Sequence, residues 1–206
     1  FIEALLPDWL GGLGPVEASF TLVGKGGVYG LSGLRAVLEG DGEHLKLDGH
    51  IDDLERFSGV VLDVDMETPY FRDFIDATGL AFDAPMPGYL SASGRLQGDA
   101  NNLSANIRSL EARDEGLKAQ FQGTVGRLLS LGALQGSLAL SADDAASLNP
   151  YLPFAMPALG AITLSGEIDN TAGPVRADAI RLEFTGERLS GSATGSIGDL
   201  AAMTGV

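Results

Sequence analysis

Hydrophobic and polar residues alternate along much of this chain. In residues 45–52, 60–66, 117–125, 162–168 and 189–197, apolar or small residues occupy every second position. A period of two is that of a β-strand with one apolar and one solvated face, which is common in antiparallel sheets. Clusters of Gly, Asp and Asn at 40–42, 98–102 and 169–173 separate the runs and predict turns. The pattern therefore predicts a mainly β fold of antiparallel strands.

The chain also repeats itself with a period near 73 residues. A Gly-x-(Ile/Val)-x-x-Leu motif begins at Gly49, Gly123 and Gly195, with spacings of 74 and 72 residues. A second marker begins at positions 13, 86 and 159, with both spacings equal to 73 residues. We predict three β repeats, residues 1–69, 70–145 and 146–206, each with four or five strands. No linker separates them, so they are expected to form one continuous structural unit.

Each repeat is expected to open with one short helix. In the second repeat Thr68 is a suitable N-cap and Pro69 suits the first helical position. In the third, Asp143 or Asp144 caps a stretch that Pro150 is expected to end. In the first, the helix is expected within residues 1–11.

Small residues recur among the inward positions of the strands, where they let a sheet bend. The expected fold is a curled antiparallel repeat sheet, either an open trough or a sandwich-like closed core. If the sheet stays open, its apolar face becomes a groove for acyl chains. The residues predicted to line that groove are Leu45, Leu47, Ile51, Leu62, Val64, Leu117, Phe121, Val125, Leu138, Leu140, Ile162, Leu164, Ile168, Leu189 and Ile197.

Charge and composition narrow the classes of partner. The formal net charge is −15, which disfavours nucleic acid and electrostatic docking on anionic membranes. The chain has no cysteine, so neither disulfides nor thiolate metal sites can form. It has no signal peptide and no apolar run of membrane-spanning length. We interpret it as a fragment of a larger protein, with any targeting or anchoring segment outside it.

Candidate catalytic and metal-binding patterns are weak. His44 and His50 lie near Asp48, Asp52 and Asp53, but a solvated strand face explains them better than a metal site. The stretch 63–67 lacks the glycine and distal glutamate of a calcium loop. The glycine-rich stretch 24–30 fits a hairpin loop better than a phosphate-binding loop. No Gly-x-Ser-x-Gly element is present. We therefore predict no catalytic residues, no metal ligands, no cofactor and no enzymatic activity.

The order of motifs nevertheless resembles a known family. The stretch 144–152 leads to Pro157–Gly160, then to Leu164–Ile168, and finally to Gly195–Leu200. This order is similar to the repeats of the AsmA family, the bacterial AsmA, TamB and YhdP group. The first repeat shows the same order; in the second, Gly126–Leu128 replaces the acidic ending.

The resemblance implies a segment of a periplasmic protein of Gram-negative bacteria, anchored in the inner membrane by an N-terminal helix. It implies a role in lipid transport and outer-membrane maintenance, with phospholipid or another acyl lipid held in an apolar trough. The alternative is an architectural or adhesive β-repeat with a closed core and no lipid.

Overall fold

The computed structural model describes residues 15–40, 42–73, 86–130, 132–151, 155–171, 173–187 and 190–199. Eleven strands account for most of them. They are β1 (Val16–Lys25), β2 (Val28–Glu39), β3 (His44–Asp53), β4 (Ser58–Thr68), β5 (Tyr89–Gly98), β6 (Ser104–Asp114), β7 (Leu117–Arg127), β8 (Gly132–Ala142), β9 (Ala161–Asp169), β10 (Arg176–Thr185) and β11 (Ser190–Ile197).

All eleven strands belong to one antiparallel sheet in which spatial order follows chain order. β1 and β11 are its edges, so the sheet does not close on itself. The predicted mainly β fold is confirmed, and the sheet is open. Each strand pairs with the next along the chain, as in a meander. Most connections are short turns, but residues 69–88 join β4 to β5 and residues 143–160 join β8 to β9.

The strands follow the repeat found in the sequence. β1–β4 lie within 1–69, β5–β8 within 70–145, and β9–β11 within the described part of 146–206. β3, β7 and β11 are thus equivalent strands, and each contains the motif glycine. The boundary between residues 145 and 146 falls just inside a 3₁₀ helix at Ala145–Tyr151.

A β-bulge recurs in the second strand of every repeat. The pairing shifts between Leu31 and Leu34 in β2, between Ile107 and Leu110 in β6, and within 178–181 of β10. An extra residue on one strand bends it and increases the local twist. The sheet is therefore curved at the same place in each repeat.

The turn between β1 and β2 agrees with the sequence. β1 and β2 are joined by Gly26 and Gly27 with φ of 63° and 85°, and such a two-residue loop needs positive φ at both central residues. The glycine-rich stretch 24–30 is a hairpin, as predicted.

In the described ranges, helical residues lie at 71–73 and in two 3₁₀ segments, Leu128–Ser130 and Ala145–Tyr151. In the second repeat, residues 71–73 are helical, and the Thr68 Oγ1 atom accepts a hydrogen bond from Tyr70 N at 3.2 Å. In the third, the 3₁₀ helix runs through Pro150 to Tyr151, so the prediction that Pro150 ends it was wrong. Pro150 has no N–H to donate to the Ser147 carbonyl, so the last turn of the segment lacks that bond of the 3₁₀ pattern. The helix expected within 1–11 lies outside the described residues.

Two clusters of buried side chains form the core. One centres on Ala142, Ala145, Leu148 and Ile162, where the 3₁₀ helix packs on the sheet. The other comprises Ile51, Val60 and Leu62 with their partly buried neighbours. Each cluster involves strands that are adjacent in the sheet, together with the loops at their ends.

Candidate functional site: the apolar face of the sheet

Fourteen of the fifteen predicted groove residues lie on one face of the sheet, and Leu189 lies outside the described residues. The strand register shows this directly, since residues paired across strands point to the same face. Phe121 faces Leu138, Leu47 faces Val64, and Ile162 faces Ala142. We call this surface the apolar face.

The apolar face is continuous across the whole sheet. One row of directly paired residues crosses all eleven strands: Ala18, Ala36, Leu47, Val64, Gly94, Ile107, Gly123, Gly136, Ile168, Ala177 and Ile197. Within the described strands, charged residues on this face occur only at strand ends, at Asp53, Asp114 and Arg127. An apolar guest would meet no charge along the middle of this surface.

Glycines sit where neighbouring backbones approach most closely. A Cβ atom added to Gly123 would lie 2.2 Å from the Gln135 carbonyl oxygen, and one added to Gly136 would lie 2.2 Å from that of Gln122. The Phe121 ring lies over both glycines. The motif glycine, visible in the sequence only as a repeat marker, thus permits a close approach between β7 and β8 that no other residue allows.

The apolar face is only partly covered. Of the fourteen residues, Ile51, Leu62, Val125 and Ile162 are buried, and the other ten are half-buried. In a β-sandwich the facing sheet covers the central inward residues, because the two sheets pack about 10 Å apart. Residues such as Leu138 and Leu164, in the middle of strands, instead retain contact with solvent.

One rim of the apolar face is capped by the segment between β8 and β9. Ala145 and Leu148 of the 3₁₀ helix pack on Ala142 and Ile162, and Met156 and Leu159 join them. Asp144 holds this cap in place by accepting hydrogen bonds from Ala146 N at 2.8 Å and Gly160 N at 3.1 Å. Asp144, rather than Asp143, is therefore the capping residue.

A small apolar hollow opens beside this cap. It has a volume of about 190 Å³ and is lined mainly by Pro87, Ala112, Leu117, Ala119, Leu140 and Leu148. The hollow adjoins the rim, where strands β6–β8 meet the 3₁₀ helix. Its lining suits the end of a hydrocarbon chain.

The opposite face carries charges that pair across strands. The Asp63 carboxylate binds Arg95 at 2.6 Å and Arg108 at 3.2 Å, and the Asp48 carboxylate binds Arg35 and Lys46, both at 3.1 Å. Hydrogen bonding from Arg95 lowers the pKa of Asp63, and hydrogen bonding from Lys46 lowers that of Asp48. The charged side chains of this solvated face thus form exposed ion pairs.

A larger hollow, of about 730 Å³, lies on the solvated face and spans β5 to β10. Its lining includes Ser109, Glu111, Gln120, Gln122 and Arg181, so it suits water and polar groups rather than acyl chains. A twisted sheet is saddle-shaped and is hollow on each face along a different direction. Strand alternation alone gave no sign of this groove.

The acidic residues that were considered as metal ligands have structural explanations. Asp63 lies on the solvated face in its ion pairs, and Asp65 lies on the same face. Asp53 is buried at the end of β3, where its Oδ1 atom accepts hydrogen bonds from Glu55 N and Arg56 N at 3.0 Å each. Among the described residues, no group of three or more His, Cys, Asp or Glu side chains could hold a metal ion.

Comparison with protein-family models, with curated proteins and with solved structures finds no match for this chain. None of the helices in the described ranges is long and apolar enough to cross a membrane.

Proposed function

We propose that this chain shields the acyl chains of phospholipids, or of other acyl lipids, on the apolar face of its open sheet. The observation that carries the proposal is the apolar row that crosses all eleven strands. Most of the predicted groove residues on the same face are only half-buried. Burial of acyl methylenes on such a surface is worth roughly 0.8 kcal/mol per CH₂ group. Lipid headgroups would stay in water, so binding would depend little on headgroup chemistry.

The resemblance to AsmA-family repeats supplies the proposed setting. On this proposal the chain acts without catalysis, in the periplasm, within a protein anchored in the inner membrane by a segment outside this sequence. Its partners are membrane lipids rather than nucleic acid, in agreement with the net charge of −15. The process served is lipid transport for maintenance of the outer membrane.

A photo-crosslinking experiment tests the proposal on two adjacent residues. Leu138 lies half-buried on the apolar face, and Ala139 lies exposed on the solvated face of the same strand. With benzoylphenylalanine at position 138, irradiation in the presence of phospholipid vesicles is expected to attach phospholipid to the protein. The same group at position 139 is the matched control and is expected to attach little. Equal labelling at both positions, or none at 138, would overturn the proposal.

A second pair in β9 gives an independent readout, because Leu164 is half-buried and Ser165 is exposed on the other face. Denaturing mass spectrometry of the protein purified without detergent should also detect co-purified phospholipid. A lipid-free protein that also fails to crosslink at 138 and 164 would favour the architectural β-repeat instead.

A further inference from the structure

The two rims of the sheet differ in charge. Because the strands are antiparallel and follow chain order, the connections after even-numbered strands lie at one rim, which includes the segment between β8 and β9 and which we call the capped rim. The connections after odd-numbered strands lie at the opposite rim. The described residues of the connections at the capped rim include six acids and one base: Glu43, Asp73, Glu115, Asp143, Asp144, Glu187 and Arg72. Those at the opposite rim include two acids and one base: Glu55, Asp99 and Arg56. A phosphate group is therefore repelled more strongly from the capped rim.

Arg127 adds a positive charge to the apolar face at the opposite rim. It ends β7 and pairs with Gly132 of β8, so its side chain points to the same side as Leu134 and Leu138. A Cβ atom added to Gly132 would lie 2.6 Å from Arg127 Nε, so the guanidinium group lies over this glycine. Arg127 is exposed, and no described carboxylate pairs with it. Its positive charge is therefore available to a guest on the apolar face.

The two acids on the apolar face do not cancel this charge. Asp114 lies at the capped rim, whereas Asp53 lies at the opposite rim in β3. Asp53 accepts hydrogen bonds from Glu55 N and Arg56 N, and its Oδ2 atom lies 3.7 Å from the Arg56 guanidinium. The charge of Asp53 is thus compensated within its own turn, four strands away from Arg127.

An acyl chain that starts beside Arg127 meets apolar surface along β8. Leu134, Gly136 and Leu138 follow Gly132 on the same face, and all three are half-buried. Gly132 and Leu138 are about 20 Å apart along the strand. One leaflet contributes only about 15 Å to the hydrocarbon core of a bilayer. The strand is therefore long enough to cover a phospholipid tail before the tail reaches the capped rim.

We propose that a phospholipid lies on the apolar face in one orientation, with its phosphate beside Arg127 and its acyl chains directed along β7 and β8 toward the capped rim. Arginine and phosphate form charge-assisted hydrogen bonds. Every phospholipid carries this phosphate, so the contact fixes orientation and does not select among headgroups. The inference rests on the proposed function and specifies where the two ends of the lipid lie.

Two photoactivatable phospholipids separate orientation from binding. One carries a diazirine on its headgroup and the other carries it at the end of an acyl chain, and each is supplied in phosphatidylcholine vesicles. After irradiation, mass spectrometry of peptides locates the attached lipid. The headgroup probe is expected to label residues 126–134, next to Arg127. The acyl probe is expected to label the middle of the sheet, around Phe121 and Leu138.

Charge reversal tests the contact with phosphate. Arg127→Glu is expected to reduce labelling of residues 126–134 by the headgroup probe about fivefold, because an attraction becomes a repulsion at an exposed site. Arg176→Glu is the matched control, since Arg176 lies at the same rim but on the solvated face and gives the same change of net charge. It is expected to leave the labelling nearly unchanged. Circular dichroism checks that both variants keep their strand content.

Headgroup labelling at residues 112–117 or 142–148 of the capped rim would overturn the proposed orientation, as would equal labelling of both rims. Equal effects of the two charge reversals would overturn the contact between Arg127 and phosphate. In each of these cases, acyl labelling at Leu138 would still support the proposed function. Absence of acyl labelling anywhere on the apolar face would contradict both the orientation and the proposed function.

Discussion

Gly123 and Gly195 begin the same motif in successive repeats, yet their surroundings differ. At Gly123, in the middle of the sheet, an added Cβ would meet the backbone of β8 at 2.2 Å. At Gly195, in the edge strand β11, no atom of the described residues lies within 4 Å of that position. Gly49 in β3 resembles Gly123, with the carbonyl oxygen of Val61 at 2.0 Å. The difference shows that this position requires glycine because the backbone of the next strand packs closely against it. The conformation of its own strand does not impose the requirement.

The comparison predicts the largest effect at Gly123. Gly123→Ala must displace the backbone of β8 and is expected to lower the free energy of unfolding by about 3 kcal/mol. Gly195→Ala is the matched control and should change it by less than about 0.5 kcal/mol. Urea titrations followed by circular dichroism measure both. Equal losses of unfolding free energy at the two sites would show that the conformation of its own strand, and not contact with the next strand, requires the glycine.

Two neighbouring residues on the apolar face of β9 allow a second comparison, between a side chain that is covered and one that is not. Ile162 is 5% exposed beneath the 3₁₀ helix, whereas Leu164 is half-buried and lacks that cover. Ile162→Ala is expected to cost about 3 kcal/mol, in the range for buried aliphatic residues. Leu164→Ala is expected to cost about 1–2 kcal/mol, since less contact is lost. A loss at Leu164 as large as that at Ile162 would indicate that the apolar face is covered by a second layer.

Alternation predicted the faces of the sheet because each side chain in a paired strand has only two directions available. Leu45, Leu117 and Ile197 are far apart in sequence, yet their parity within their strands was enough to place them on one face. The repeat likewise indicated which strands are equivalent.

Other features depend on the geometry between strands and could not be predicted from the alternation of apolar and polar residues. The bulges at Gly33 and Ala179, with φ of 59° and 52°, interrupt alternation in β2 and β10 without a common residue type. The choice of Asp144 over Asp143 is decided by the position of Gly160, sixteen residues later. The groove on the solvated face results from the twist of six strands together.

The cap that covers Ile162 provides a third test, of smaller size. Asp144→Ala removes the acceptor for Ala146 N and Gly160 N and is expected to cost about 1–2 kcal/mol. Asp143→Ala is the control, because the Asp143 side chain is exposed. Hydrogen exchange should show faster opening at 145–148 in the Asp144 variant, with the centre of the sheet unaffected. An equal effect of both substitutions would contradict the assignment of Asp144 as the cap.

The smallest effects are expected on the solvated face, where charges lie in water. The lowered pKa of Asp63 means that its ionised form is favoured by folding, chiefly through Arg95. Its contribution to stability is therefore complete above the pKa of the unfolded chain, about 3.9, and is lost as the pH falls through the lower folded pKa. Asp63→Asn should lower the midpoint of thermal unfolding by about 1–2 °C at pH 7, because exposed ion pairs contribute little. The difference should shrink in high salt and vanish once the pH lies below both pKa values. A large loss at Asp63, comparable to that at Gly123, would mean that ion pairing rather than backbone packing sets the shape of the sheet.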